Sequence, residues 1–182
     1  MPNGYVFVDK GARILTSRAS ARMGKGSGLF PLSGNLFTYG SATGVGNGAG
    51  TTEDTLGTYS MPPNSFDAIG RCLNIYAWGS FAANGNNKTA KLYFGAMVIS
   101  TGVLTSSNVG WCLELMLIRT GASTQIGNGQ IIYGATHGGV TLPLAGTEVD
   151  TAAIVIKITG QSGTAAAANN IVLNGLIIDA FN

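Results

Sequence analysis

Hydrophobic and polar positions alternate with a period of two along most of this chain. The pattern is clearest between residues 73 and 120. Leu73, Ile75 and Ala77 alternate with Asn74, Tyr76 and Trp78, and Trp111, Leu113, Leu115 and Leu117 alternate with Cys112, Glu114, Met116 and Ile118. A period of two places one set on each face of a β-strand. Similar runs occupy residues 55–61, 88–99, 124–133, 140–144, 151–159 and 171–181, separated by Gly, Asn, Ser and Pro. Pro62-Pro63 ends the first of these, because proline cannot donate to a sheet ladder. Asn84-Gly85-Asn86-Asn87 and Asn128-Gly129 read as turns, the former as a hairpin joining its flanking strands. No amphipathic helix of ordinary length is visible. Strands recurring every ten residues or so predict a sandwich or barrel. The expectation is an all-β, antiparallel, jelly-roll-like sandwich of about eight strands over residues 55–182.

Residues 1–54 read differently and are expected to form an extended N-terminal arm and linker. Residues 1–25 carry Lys10, Arg13, Arg18, Arg22 and Lys25 against one acid, Asp9, a net charge of +4. The remaining five bases and seven acids leave residues 26–182 at −2. The arm's apolar pieces, residues 5–8 and 14–15, are too short for a core, so a partner or a neighbouring subunit is expected to order it. Clustered bases suit phosphates, but low overall charge and few interleaved aromatics argue against nucleic acid as the partner. Residues 35–39 could be a strand, whereas 41–52, rich in Gly and Thr, read as a linker or surface loop. The glycines there form no phosphate-binding motif.

Composition sharpens the picture. Only 10% of the 182 residues are charged, against about 25% in an average domain, while 45% are hydrophobic. A chain of this size can bury a full core without staples. So greasy a surface predicts self-association. No apolar run is long enough for a membrane helix, and the first residues lack a secretory signal pattern.

Candidate chemistry is sparse. His137 reads as a turn residue, with no nucleophile motif around it. Cys72 and Cys112 read as small buried hydrophobes, a disulfide between neighbouring strands being the alternative. The close acid pairs, Glu53 with Asp54 and Glu148 with Asp150, read as solvated loop ends. No metal, cofactor or enzymatic activity is expected. Tyr76, Trp78, Tyr93 and Trp111 are read as core or subunit interface, with a sugar-stacking platform as the other option; Tyr76 and Trp78 share strand parity, and Trp111 lies with the leucines.

Residues 55–120 resemble a domain of tailed-bacteriophage and prophage virion proteins. The resemblance lies in TLGTYSMPPNSF, LNIYAWGSF, AANGNNKT, KLYFG and the strand from Trp111 to Arg119-Thr120. It implies a jelly roll that assembles as a homotrimer with a structural and non-catalytic role. Such a subunit would sit on the capsid surface, after assembly in the host cytoplasm, as a decoration or cement protein on the major capsid protein. Lys10, Arg13, Arg18, Arg22 and Lys25 would then contact the shell. The alternative is a tail-fibre or tail-tip domain that recognises a host glycan or protein through loops such as 101–110 and 134–139.

Overall fold

The computed structural model describes residues 34–105, 109–140, 144–163 and 167–181. Eleven strands and no helix occur among them. The strands are β1 (Gly34–Gly46), β2 (Glu53–Met61), β3 (Cys72–Phe81), β4 (Lys88–Phe94), β5 (Met97–Ser100), β6 (Gly110–Gly121), β7 (Thr124–Tyr133), β8 (Thr136–Gly139), β9 (Leu144–Gly146), β10 (Ile154–Ser162) and β11 (Ile171–Phe181). Every pairing is antiparallel. β1 pairs β11, β2 pairs β10, β3 pairs β6 and β4 pairs β5. This four-pair ribbon is rolled so that β11 also lies beside β3 and β10 beside β4. The result is a larger sheet in the order β1-β11-β3-β6-β7-β8, with β9 also on β7, and a smaller sheet in the order β2-β10-β4-β5.

Alternation puts the apolar sets of both sheets face to face. Leu73, Ile75 and Ala77 of β3, Leu113, Leu115 and Leu117 of β6, and Leu176 and Ile178 of β11 are buried against Ile154, Ile156 and Ile158 of β10 and Leu92 and Phe94 of β4. Each buried aliphatic contributes about 1.5–3 kcal/mol of transfer free energy, offset by the entropy of ordering the chain.

Several expectations change. Residues 41–46 are not linker: β1 runs through Gly46, with a register shift between Gly40 and Val45. Asn174 Nδ2 donates to the Ser41 carbonyl across that irregularity at 3.1 Å. Leu36, Phe37 and Tyr39 in the first half of this edge strand pack against the core, whereas the second half, from Ser41 to Gly46, is small residues apart from Val45 and so lacks apolar alternation. β1 and the start of β2 thus lie before residue 55, where the sandwich was expected to begin. Residues 88–99 are two strands, β4 and β5, because Gly95 adopts a positive φ of 54° and reverses the chain. Residues 136–139 form β8 rather than a loop.

The segment Asn84 to Asn87 is not a hairpin. β3 is paired on both edges within the larger sheet, and β4 belongs to the smaller one. The segment crosses between sheets and is held by Lys88, whose Nζ donates to the carbonyls of Asn84 (2.7 Å) and Asn86 (2.9 Å). Nor is Asn128-Gly129 a turn, since β7 passes straight through it opposite Met116 and Leu115. Gly129 faces the core, where an added Cβ would come within 2.8 Å of Ile99. Glycine serves close packing of the sheets there, not chain reversal.

Candidate functional site

The two outer faces of the sandwich differ in kind. On the smaller sheet, the outward side chains of β2, β10 and β4 include Thr58, Ser60, Lys157, Thr159, Lys91 and Tyr93. They centre on Glu53. Its carboxylate accepts hydrogen bonds from Tyr93 Oη (2.6 Å), Thr159 Oγ1 (2.7 Å) and Lys91 Nζ. Partial burial works to raise its pKa, but these donors and the Lys91 charge outweigh it and bring the group down to about 2. Lys157 Nζ sits 4.5 Å from the Tyr93 ring centre. This face carries one carboxylate against two ammonium groups, with Lys91 on Glu53 and Lys157 on the Tyr93 ring. Its exposed apolar side chains, Val155 and Val98, stand on the non-neighbouring strands β10 and β5.

The larger sheet turns a different surface outward. Its register aligns four rows across β11, β3, β6 and β7. The first is Phe181, Cys72, Ile118 and Ile126. The second is Asp179, Asn74, Met116 and Asn128. The third is Ile177, Tyr76, Glu114 and Gln130. The fourth is Gly175, Trp78, Cys112 and Ile132. Phe181, Met116, Ile126, Ile118 and Tyr76 are each more than a third exposed, Phe181 at 48%. Glu114 and Asp179 are the only charged side chains in these rows. All five described bases are engaged elsewhere: Arg71 with Asp67, Arg119 with Asp150, Lys88 with backbone carbonyls, and Lys91 and Lys157 on the opposite sheet. The exposed apolar side chains gather in the first row and at Met116, while the two middle rows also carry Asp179, Asn74, Asn128, Glu114 and Gln130. Apolar side chains grouped in this way mark a contact site more often than scattered single ones do.

Aromatic packing stiffens one end of this face. The Tyr76 and Trp78 rings lie 5.4 Å apart at 42°, and Trp78 covers Gly175, where a Cβ would collide with the indole. Hydrogen bonding to Cys112, then burial and the charges of Cys112 and Glu114, push the Tyr76 phenol up to about 12. Burial likewise raises the Cys112 thiol. A depression of about 180 Å³ lies among Glu114, Met116, Asn128, Gly129 and Gln130. It is smaller than the roughly 300–1,000 Å³ typical of small-molecule pockets, and suits an inserted side chain better.

The four aromatics singled out by sequence do not converge. Trp111 is core, packed against Phe81 at 6.2 Å between ring centres. Tyr93 lies on the outer face of the other sheet. Only Tyr76 and Trp78 meet, which leaves no four-ring platform for a sugar. Lys10, Arg13, Arg18, Arg22 and Lys25 lie outside the described residues. Loop 101–110 is described except for residues 106–108.

Other expected roles also shift. His137 is on β8, opposite Ile132, rather than in a turn. Cys72 and Cys112 are unpaired and half-buried on the outer face, not core hydrophobes. Cys72 is opposite Ile118, six residues along β6 from Cys112, about 20 Å at strand rise, far beyond disulfide reach. The acids near loops are not solvated ends. Asp150 is buried, with Oδ2 3.2 Å from Arg119 Nη1 and Oδ1 accepting the Phe66 N–H at 3.0 Å. Glu148 caps the β4–β5 turn through the Ala96 N–H at 2.6 Å. Sequence reasoning missed this network because its partners are 31 to 84 residues apart; an Arg within an inward-facing leucine series was the one available signal. Among the described residues, no group of three or more His, Cys, Asp or Glu could hold a metal ion.

Comparison with protein families, with curated proteins and with solved structures finds no match to this chain.

Proposed function

We propose that this chain is a structural subunit of a bacteriophage particle, a decoration or cement protein that binds the head shell as a trimer. The observation that carries the reading is the contrast between the two outer faces: one centred on the Glu53–Lys91 pair, the other with Phe181, Ile118 and Ile126 exposed in a single row and no basic residue among its described side chains. A subunit with one such face is suited to packing against copies of itself or a larger surface. The ribbon-like winding of the strands suits a jelly roll, and the resemblance of residues 55–120 to phage virion domains supplies the setting. In this reading the Tyr76–Trp78 end of the larger sheet packs between copies, and the five bases of residues 1–25 reach the major capsid protein.

Deleting residues 2–25 should leave a trimer by light scattering that no longer binds purified heads. Tyr76→Lys should dissociate the trimer while leaving the circular dichroism spectrum of the sandwich in place. Undiminished head binding by the truncated chain, or a monomeric intact chain, would refute the proposal.

A further inference from the structure

We propose that the apolar tract Leu29, Phe30 and Leu32, which leads into β1, lies across the first outward row of the larger sheet, Phe181, Cys72, Ile118 and Ile126, within the same chain. Three observations converge on this occupant.

The first is position. β1 begins at Gly34, directly opposite Ala180 and next to Phe181. Phe181 is opposite Cys72, Cys72 opposite Ile118, and Ile118 opposite Ile126. The row therefore starts one strand from the point where the preceding segment joins the sheet. At about 4.8 Å per strand it ends roughly 19 Å from β1. Residues 29–33 extended span about 17 Å, a matching length.

The second is chemistry. This row holds no charged side chain, and Phe181, Ile118 and Ile126 are each more than a third exposed. The facing tract supplies three large apolar side chains, and Pro31 between them has no N–H to desolvate. Of the sequence outside the described residues, this apolar group lies nearest β1.

The third is charge. The outward rows carry carboxylates at Asp179 and Glu114 and no described base, whereas Lys25 and Arg22 stand just upstream of the tract. A second copy placed face to face would bring only further carboxylates. The tract occupies one end of the face and leaves the Tyr76–Trp78 end open for contact between copies.

Cys72 lies within the row and reports on its cover. In the full chain carrying Cys112→Ser, the Cys72 thiol should react slowly with a maleimide. Adding Leu29→Ser, Phe30→Ser and Leu32→Ser should speed that reaction at least about tenfold, as expected when a local contact is lost. Independently, Phe30→Cys with Cys112→Ser should oxidise to a disulfide with Cys72 at monomer mass, faster than Ser17→Cys in the same background. Equal maleimide rates with and without the serine substitutions would overturn the proposal. So would protection of Cys72 that grows with protein concentration, which would assign the row to a second copy, or Phe30→Cys links formed only between chains. Neither readout involves phage heads, so this inference and the proposed function can fail separately.

Discussion

Replacing Asp150 by alanine should be among the most damaging single changes on the polar side of this protein. Asp150 and Arg119 are 5% and 8% exposed. The guanidinium also donates to Gly121 O through Nε (2.9 Å), to Ala122 O through Nη2 (3.1 Å) and to Phe66 O through Nη1. Asp150 in turn accepts the Phe66 N–H, and its carbonyl accepts the Asn64 N–H at 2.7 Å. Together they fasten the 62–71 connection to the ends of β6 and β10. Removing the carboxylate strands a buried positive charge, about 3–5 kcal/mol, and leaves the Phe66 N–H without an acceptor, a further 1–3 kcal/mol or so if the costs were independent. They share one site, so a total near 4 kcal/mol is expected. With a urea m-value of roughly 2 kcal/mol/M for a chain of this size, the midpoint should fall by about 2 M, followed by tryptophan fluorescence. Asp150→Asn keeps an oxygen for Phe66 and should recover about 1–2 kcal/mol of that loss. The double variant Arg119→Met, Asp150→Leu should be less damaged than Asp150→Ala, because no charge is then orphaned. An Asp150→Ala midpoint within about 0.5 M of the parent, at unchanged m-value, would refute the reasoning.

Other expectations are simpler to state. Gly79→Ala should cost about 3 kcal/mol or more, or abolish folding, because the new Cβ would collide with the Val172 carbonyl and the Trp111 ring; a soluble variant with an unchanged melting temperature would contradict this. Glu53 has its folded pKa near 2, below the ordinary value of 4.5 for the side chain, so its stabilisation is whole above about pH 4.5 and drains away as pH falls toward 2. Solvent screening limits that contribution to about 1 kcal/mol, and in thermal melts from pH 6 to pH 2 Lys91→Met should flatten this part of the acid loss. Ultraviolet titration should find Tyr76 ionising near pH 12, with Tyr59 and Tyr93 also raised by burial, and Cys112→Ala should bring Tyr76 back toward 10.

Much of the strand pattern was legible because alternation is a local property. Leu73, Ile75 and Ala77, and Leu113, Leu115 and Leu117, face inward as their spacing requires, whatever strand lies beside them. The placement of Trp111 among the leucines followed from the same parity, as did the meeting of Tyr76 and Trp78. Glycine was harder to read, because one residue type serves opposite purposes. Gly95 reverses the chain, Gly129 lets two sheets approach, and Gly40 and Gly44 lie at an edge irregularity. Which purpose applies depends on neighbours distant in the chain.

The amino-acid order alone determined that this is an all-β protein with few charges, and which side chains share a face along each strand. Whether a given outward face meets water or remains apolar was decided by tertiary structure. Strand pairing gathered Phe181, Cys72, Ile118 and Ile126 into one row from positions up to 109 residues apart, and brought Lys91, Tyr93 and Thr159 onto Glu53. Alternation is set by the geometry of a single strand, whereas lateral order is set by which strands find each other across long loops, and no short window of sequence contains that information.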